Sequence, residues 1–78
     1  MLPRFFLNIR RQGVLIRDEE GDELPDLEAA RALALNTLRE MMRLPHIYGQ
    51  PREWKRNVFV ITNEAGTVLA EVPYDALL

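Results

Sequence analysis

The feature of the sequence that most constrains its fold is a single helical segment over residues 27–43. At about 100° per residue, apolar side chains gather on one arc of this helix, whereas Asn36, Arg39, Glu40 and Arg43 fall on the opposite arc. No second helix is present to cover the apolar arc, so it must pack against a sheet. The arc consists of Leu27, Ala30, Ala34, Leu35, Leu38, Met41 and Met42.

The segments on either side of this helix alternate in the manner of strands. Phe5, Leu7 and Ile9 recur with period two, which is typical of a half-buried strand. The tripeptide Arg11-Gln12-Gly13 predicts a three-residue hairpin connection, because glycine adopts left-handed backbone geometry without a Cβ penalty. The predicted strands cover residues 4–10, 14–17, 54–62 and 67–73.

These elements predict one α+β domain over residues 1–78. The chain order is ββαββ, and the strands form a four-stranded antiparallel sheet in the order 2-1-3-4 with the helix on one face. In the third strand, Trp54, Val58 and Val60 are predicted to face the helix, with Trp54 in the core. The other face is then expected to present apolar side chains at Phe6, Leu15, Phe59 and Ile61. An exposed apolar face of this kind favours self-association, so we expect a homodimer.

Composition argues against an enzyme. Cysteine and serine are both absent, and His46 is the only histidine. Disulfides, thiolate metal sites and the commonest hydroxyl and thiol nucleophiles are therefore excluded, and we expect no catalytic residue, cofactor or metal site. No apolar run has the length of a secretory or membrane-spanning segment, so a cytoplasmic location and no membrane partner are expected.

Charge is arranged in blocks, although the net charge is only −2. Residues 1–17 carry four arginines and no acid, and residues 18–28 carry seven acids and no base. Blocks of opposite sign that fold together neutralise one another. Calcium prefers clustered carboxylates, but the spacing within residues 18–23 does not match a twelve-residue calcium loop, so a solvated turn is favoured there.

Three residues are expected to have structural roles. Asp26 is placed to cap the helix N-terminus. Arg31 lies at the apolar arc, where a charge needs a partner, and is expected to tie the helix to the acidic residues 18–23. Trp54 is the third, as a core residue. By contrast, Arg52, Lys55 and Arg56 form a basic segment that could contact phosphates, which would fit an anion site.

Three stretches resemble a small domain of unknown function that is common in alphaproteobacteria. They are PRFFLNI at residues 3–9, DEEG at residues 18–21 and ELPDLEAAR at residues 23–31, followed by a similar closing hairpin. The resemblance implies the same fold and implies no activity, cofactor or catalytic residue. The leading hypothesis is a non-enzymatic, self-associating interaction module. The alternative is an accessory protein that binds nucleic acid or another anion, which the acidic overall balance disfavours.

Overall fold

The structure is a computed structural model that describes all 78 residues. It is an α+β fold with one main helix and an antiparallel sheet. The strands are β1 (Arg4–Arg11), β2 (Val14–Ile16), β3 (Asp22–Glu23), β4 (Val58–Thr62) and β5 (Val68–Pro73). The helices are α1 (Leu27–Arg43), α2 (Pro45–Tyr48) and α3 (Pro51–Trp54), and a 3₁₀ turn, Tyr74–Leu77, follows β5.

The sheet has the order β2-β1-β4-β5, and β3 pairs with β1 on the same side as β2. It differs in detail from the predicted order 2-1-3-4, because the acidic segment ends in the short strand β3 instead of remaining a loop. The β1–β2 connection also differs. Gln12 and Gly13 have φ values of 50° and 79°, so two left-handed residues form a tight turn of the kind that matches sheet twist.

Helix α1 is capped at its N-terminus by Asp26, whose side chain accepts a hydrogen bond from the backbone N–H of Ala29 at 2.9 Å. This capping satisfies one of the free N–H groups of the first turn, as the sequence predicts. Ala30, Ala34 and Leu38 are completely buried against the sheet, because small side chains let the helix approach closely. The core consists of Phe5, Ala30, Ala34, Leu38, Trp54, Phe59, Ile61, Val72 and Tyr74.

Strand β4 faces the opposite way from the prediction. Phe59 and Ile61 are only 4% and 0% exposed and pack in the core under α1. Val60 lies on the other face, opposite Asn8 of β1. The prediction that Phe59 and Ile61 line an uncovered interaction face is therefore wrong. The cause is that Trp54 belongs to α3, so an alternation counted from Trp54 does not carry into the strand.

Aromatic side chains close the core where β4 begins. Trp54 is buried, as predicted, and meets Tyr74 edge-on with ring centroids 5.9 Å apart. Tyr74 also contacts Phe59 at 4.6 Å between centroids. Burial disfavours the phenolate and raises the pKa of Tyr74 to about 12. The two short helices α2 and α3 thus carry Trp54 to this end of the core.

Candidate interaction site

The sheet face opposite α1 carries both polar and apolar side chains. Arg10 pairs with Glu71 across β4, with Nη2 and Oε1 2.6 Å apart. By hydrogen bonding and then by charge, this guanidinium holds the pKa of the Glu71 carboxyl below its usual range. Asn8 Nδ2 donates to the Val60 carbonyl and to Thr62 Oγ1, both at 3.0 Å. Of the four predicted apolar residues, only Phe6 and Leu15 lie here, with Val58 and the buried Val60 beside them, so this face presents less exposed apolar surface than predicted.

The acidic residues after β2 form a structured loop around Asp18. Asp18 Oδ2 accepts from the Leu7 N–H at 3.2 Å, and Oδ1 accepts from the N–H groups of Glu20 and Gly21. The Asp18 N–H in turn donates to Asn8 Oδ1 at 3.0 Å. The carboxylate thereby fills the gap between β2 and β3 along the edge of β1. No group of three or more histidine, aspartate or glutamate side chains in the molecule is arranged to hold a metal ion.

The residue that ties this loop down is Arg4, not Arg31. Arg4 donates to the Glu20 carbonyl at 2.8 Å and to Glu23 Oε1 at 2.9 Å. Arg31 is exposed, and its one ionic neighbour is Glu28, one turn back on α1, at 3.9 Å. The predicted link from Arg31 to the acidic residues is therefore wrong. The cross-strand position of Arg4 opposite Glu23 brings those two side chains together directly.

The most exposed apolar strand of the molecule is β2, at the edge of the sheet. Val14, Leu15 and Ile16 are 62%, 47% and 47% exposed. Arg11 and Val14 flank the two-residue turn and form its hydrogen-bonded pair. Leu15 is the next residue along, so its backbone N–H and C=O point away from β1 into solvent. An edge with free backbone groups and apolar side chains is a template for strand pairing.

A groove of about 340 Å³ lies beside β2 on the side of the sheet that α1 covers. Ile9 and Ile16 form one wall, and Arg11 and Glu53 supply charge. The groove is open to solvent, and Ile16 is the residue of β2 that lines it. Its other lining residues are Met41, Tyr48, Gly49, Trp54, Asn57 and Tyr74.

Sequence reasoning identified Leu15 but missed Val14, Ile16 and Tyr48. The signal is present in the sequence: three consecutive apolar residues in a strand must point to both faces. On an edge strand covered by only one helix, such a triplet leaves apolar surface on both faces. The opposite edge strand is protected differently, since β5 ends at Pro73, which offers no N–H, and is irregular where it pairs with Ile61 and Thr62.

The basic segment is exposed and lies at one end of the sheet. Arg52, Lys55 and Arg56 form no salt bridge, whereas Arg4, Arg10, Arg31 and Arg43 each have a carboxylate neighbour. These three bases precede β4, whose first residue pairs with Arg10. His46, in α2, is also exposed. No helix combines the length and apolar character needed to cross a bilayer.

Residues 4–75 match a family described as a domain of unknown function, DUF6894. The chain belongs to this family. No curated protein and no solved structure matches it. In this DUF6894 domain, the D-E-E-G segment at residues 18–21 is part of the fold, because Asp18 links β1 to the loop before β3 and Gly21 packs against Phe5.

Proposed function

We propose that this DUF6894 domain is a non-enzymatic interaction module that binds an extended protein segment along the outer edge of β2. The observation that supports this function best is the exposed triplet Val14–Ile16 on an edge strand whose backbone groups at Leu15 have no partner strand. A segment that pairs there would add one strand to the sheet. Backbone hydrogen bonds supply affinity in this mode of recognition, and pockets for alternate side chains supply specificity.

The groove beside β2 determines what the bound segment should look like. Every second side chain of an added strand points to the α1 side, where Ile16, Met41 and Tyr48 offer apolar contacts. Aromatic and methionine side chains contribute strongly to such contacts. We therefore propose an extended segment with apolar residues at alternate positions as the ligand.

The polar residues outside β2 and its groove support a binding role for the domain over a catalytic one. Asp18, Asn8 and Arg4 use their side chains to hold β1, β3 and the loop between them. Arg10 and Glu71 neutralise each other across β4. The carboxylates of Asp18, Glu23 and Glu71 are thus engaged in the fold.

A displayed library of random peptides tests this function. Peptides selected on the immobilised domain should be titrated into isotope-labelled protein and followed by NMR. We expect amide shifts to concentrate at residues 14–17 and the Leu15 N–H to gain protection from exchange. Leu15→Pro should abolish binding by removing the outward donor, whereas Leu15→Val, which keeps the donor, should bind within about threefold. Peptides that bind elsewhere, or an absence of binders, would contradict the proposal.

A second candidate function is anion binding by the basic segment, which is favoured by the lack of salt bridges at Arg52, Lys55 and Arg56. The net charge of −2 opposes it. We expect binding to oligonucleotides no tighter than the roughly 10⁻⁴–10⁻⁶ M of non-specific contacts at physiological salt. Fluorescence anisotropy with single-stranded and duplex oligonucleotides measures this, and salt-sensitive binding below micromolar would make anion binding the leading function.

A further inference from the structure

We infer that the strand which pairs with β2 comes from a second copy of this chain, so that two sheets join edge to edge in a two-fold dimer. This inference rests on the proposed function and names its partner. It also replaces the face-to-face dimer that the sequence suggests, because Phe59 and Ile61 are buried in the core and Arg10 and Glu71 bridge the open face.

The free backbone groups select one register. Leu15 directs its N–H and C=O outward, so two antiparallel copies of β2 exchange both hydrogen bonds when the two-fold axis passes between their Leu15 residues. Pairing one residue away from this register would align backbone groups that already bond to β1. The short strand therefore offers a self-complementary set of one donor and one acceptor.

Side chains agree with this register. Val14 of each copy lies opposite the partner's Ile16 on the α1 side, and the two Leu15 side chains meet on the other side of the sheet. All three residues are about half exposed or more in the single chain. Pairing covers apolar surface on both faces of the sheet at once, which a strand of alternating polar residues would not do.

Charge is complementary in the antiparallel arrangement. Strand β2 runs from the turn beside Arg11 to the exposed Arg17 and then to the acidic loop, in which Glu19 and Glu20 are exposed. The five carboxylates of residues 18–23 outweigh the charge of Arg17, so this end of the strand is negative. Antiparallel pairing places the Arg11 end of one copy beside the partner's acidic loop, and the same contact repeats across the axis. A parallel arrangement would instead bring the two acidic loops together.

A three-residue strand buries less than the roughly 1,200 Å² of a standard stable complex, so the dimer is expected to be reversible, with a dissociation constant on the order of tens of micromolar. Sedimentation equilibrium should show the mass rising from 9.1 kDa toward twice that value as concentration increases. Because the Arg11 contact is electrostatic, added salt should weaken association. A mass that stays at 9.1 kDa from concentrations below the expected dissociation constant to concentrations well above it would overturn the inference.

Cysteine cross-linking tests the register, and the chain has no cysteine of its own. In the proposed register, Cα atoms of residue 14 and the partner's residue 16 are about 4.5 Å apart, within disulfide range. An equimolar mixture of Val14→Cys and Ile16→Cys chains should form the mixed disulfide faster than either variant cross-links to itself. Val68→Cys, similarly exposed on the opposite edge strand, is the matched control and should not cross-link faster than random collision.

Leu15→Pro and Leu15→Val complete the test. The proline variant should remain monomeric and the valine variant should dimerise within about threefold of the parent, with circular dichroism and thermal melts confirming that both fold. Equal dimerisation by the folded proline variant would overturn the pairing. A selected peptide that binds at β2 while the chain stays monomeric would overturn the second copy as partner and leave strand binding supported. A chain that neither dimerises nor binds peptides would overturn both.

Discussion

At the scale of the residue, Gly21 and Asp18 show how a conspicuous acidic segment serves the fold. Asp18 accepts three backbone hydrogen bonds, and Gly21 turns the chain into β3 with a φ of 68°. A Cβ on Gly21 would lie 2.8 Å from the Phe5 carbonyl oxygen, which belongs to the central strand β1 and cannot move away. Glu19 and Glu20, which lie between these two residues, are exposed. The segment at residues 18–21 therefore depends on Asp18 and Gly21 for its backbone conformation.

Gly21→Ala is expected to destabilise the domain by about 2–4 kcal/mol, because it adds left-handed strain and a steric clash with Phe5. Gly13→Ala is the matched control. Gly13 also has a positive φ, 79°, but no atom beyond its two chain neighbours lies within 4 Å of the position that a Cβ would occupy there, so strain alone should cost about 1 kcal/mol. Urea unfolding of both variants measures the difference, and equal losses would show that the Phe5 contact does not matter.

At the scale of the element, the contact between α1 and the sheet depends on small side chains. Ala34 is completely buried and lies in the core with Ile61 and Phe59. Ala32, two residues earlier on the same helix, is exposed. The two alanines therefore separate the effect of burial from that of helix propensity.

Ala34→Asp should destabilise by about 3–5 kcal/mol, since it buries an unpaired carboxylate. Ala32→Asp carries the same chemical change into solvent and should cost less than about 1 kcal/mol. Thermal unfolding followed by circular dichroism gives both values. If the melting temperature of Ala34→Asp were close to that of the parent, Ala34 would have to face away from the sheet.

The periodicity of residues 27–43 and the Pro45 that follows suffice to predict α1, because a long apolar arc has one interpretation. Strand β4 could not be placed from alternation alone, since Trp54, Val58 and Val60 share one parity although α3 interrupts the strand pattern. A local signal for α3 exists: Pro51 opens its first turn, and the Glu53 carboxylate accepts from the Gln50 N–H.

The candidate interaction edge was predictable only in part. Leu15 follows from the pattern of the first hairpin, but the direction of its backbone groups depends on whether the turn has two or three residues. Gln12 has a φ of 50°, a backbone angle that residues other than glycine adopt uncommonly. The predicted contact of Arg31 with residues 18–23 was wrong because few elements pack against α1. A residue beside the apolar arc of such a helix reaches solvent easily.

At the scale of the whole molecule, the folded chain separates its charges in part between two ends of the sheet. Asp18, Glu19 and Glu64 line one shared pocket together with Arg17, whereas Arg11, Lys55 and Arg56 lie toward the end where β4 begins. The blocks visible in the sequence are thus only partly neutralised by folding, through pairs such as Arg4 with Glu23.

Stability is expected to fall at alkaline pH because of Tyr74. Its pKa rises from the usual 10.0 to about 12 in the folded state, so between these values the unfolded chain loses a proton that the folded chain keeps. The contribution of the neutral phenol to the free energy of unfolding is therefore complete below pH 10 and is lost as pH rises toward 12. Urea midpoints across this range should drop less steeply in Tyr74→Phe. Tyr48→Phe, which changes an exposed tyrosine, should behave like the parent.

The sequence separation between β1 and its partners also sets the order in which the strands pair during folding. Asn8 bonds to Asp18, which is 10 residues away, and to Val60, which is 52 residues away. Closing a long loop must be completed before its contacts stabilise the chain, so the β1–β2 hairpin can form early while β4 joins late. We expect destabilising substitutions in β2 to slow refolding more than substitutions in β4, which should mainly speed unfolding, in stopped-flow experiments. Until β4 pairs with β1, the edge of β1 that faces β4 is unpaired, like the outer edge of β2. A newly made chain therefore passes through a state with two unpaired strand edges.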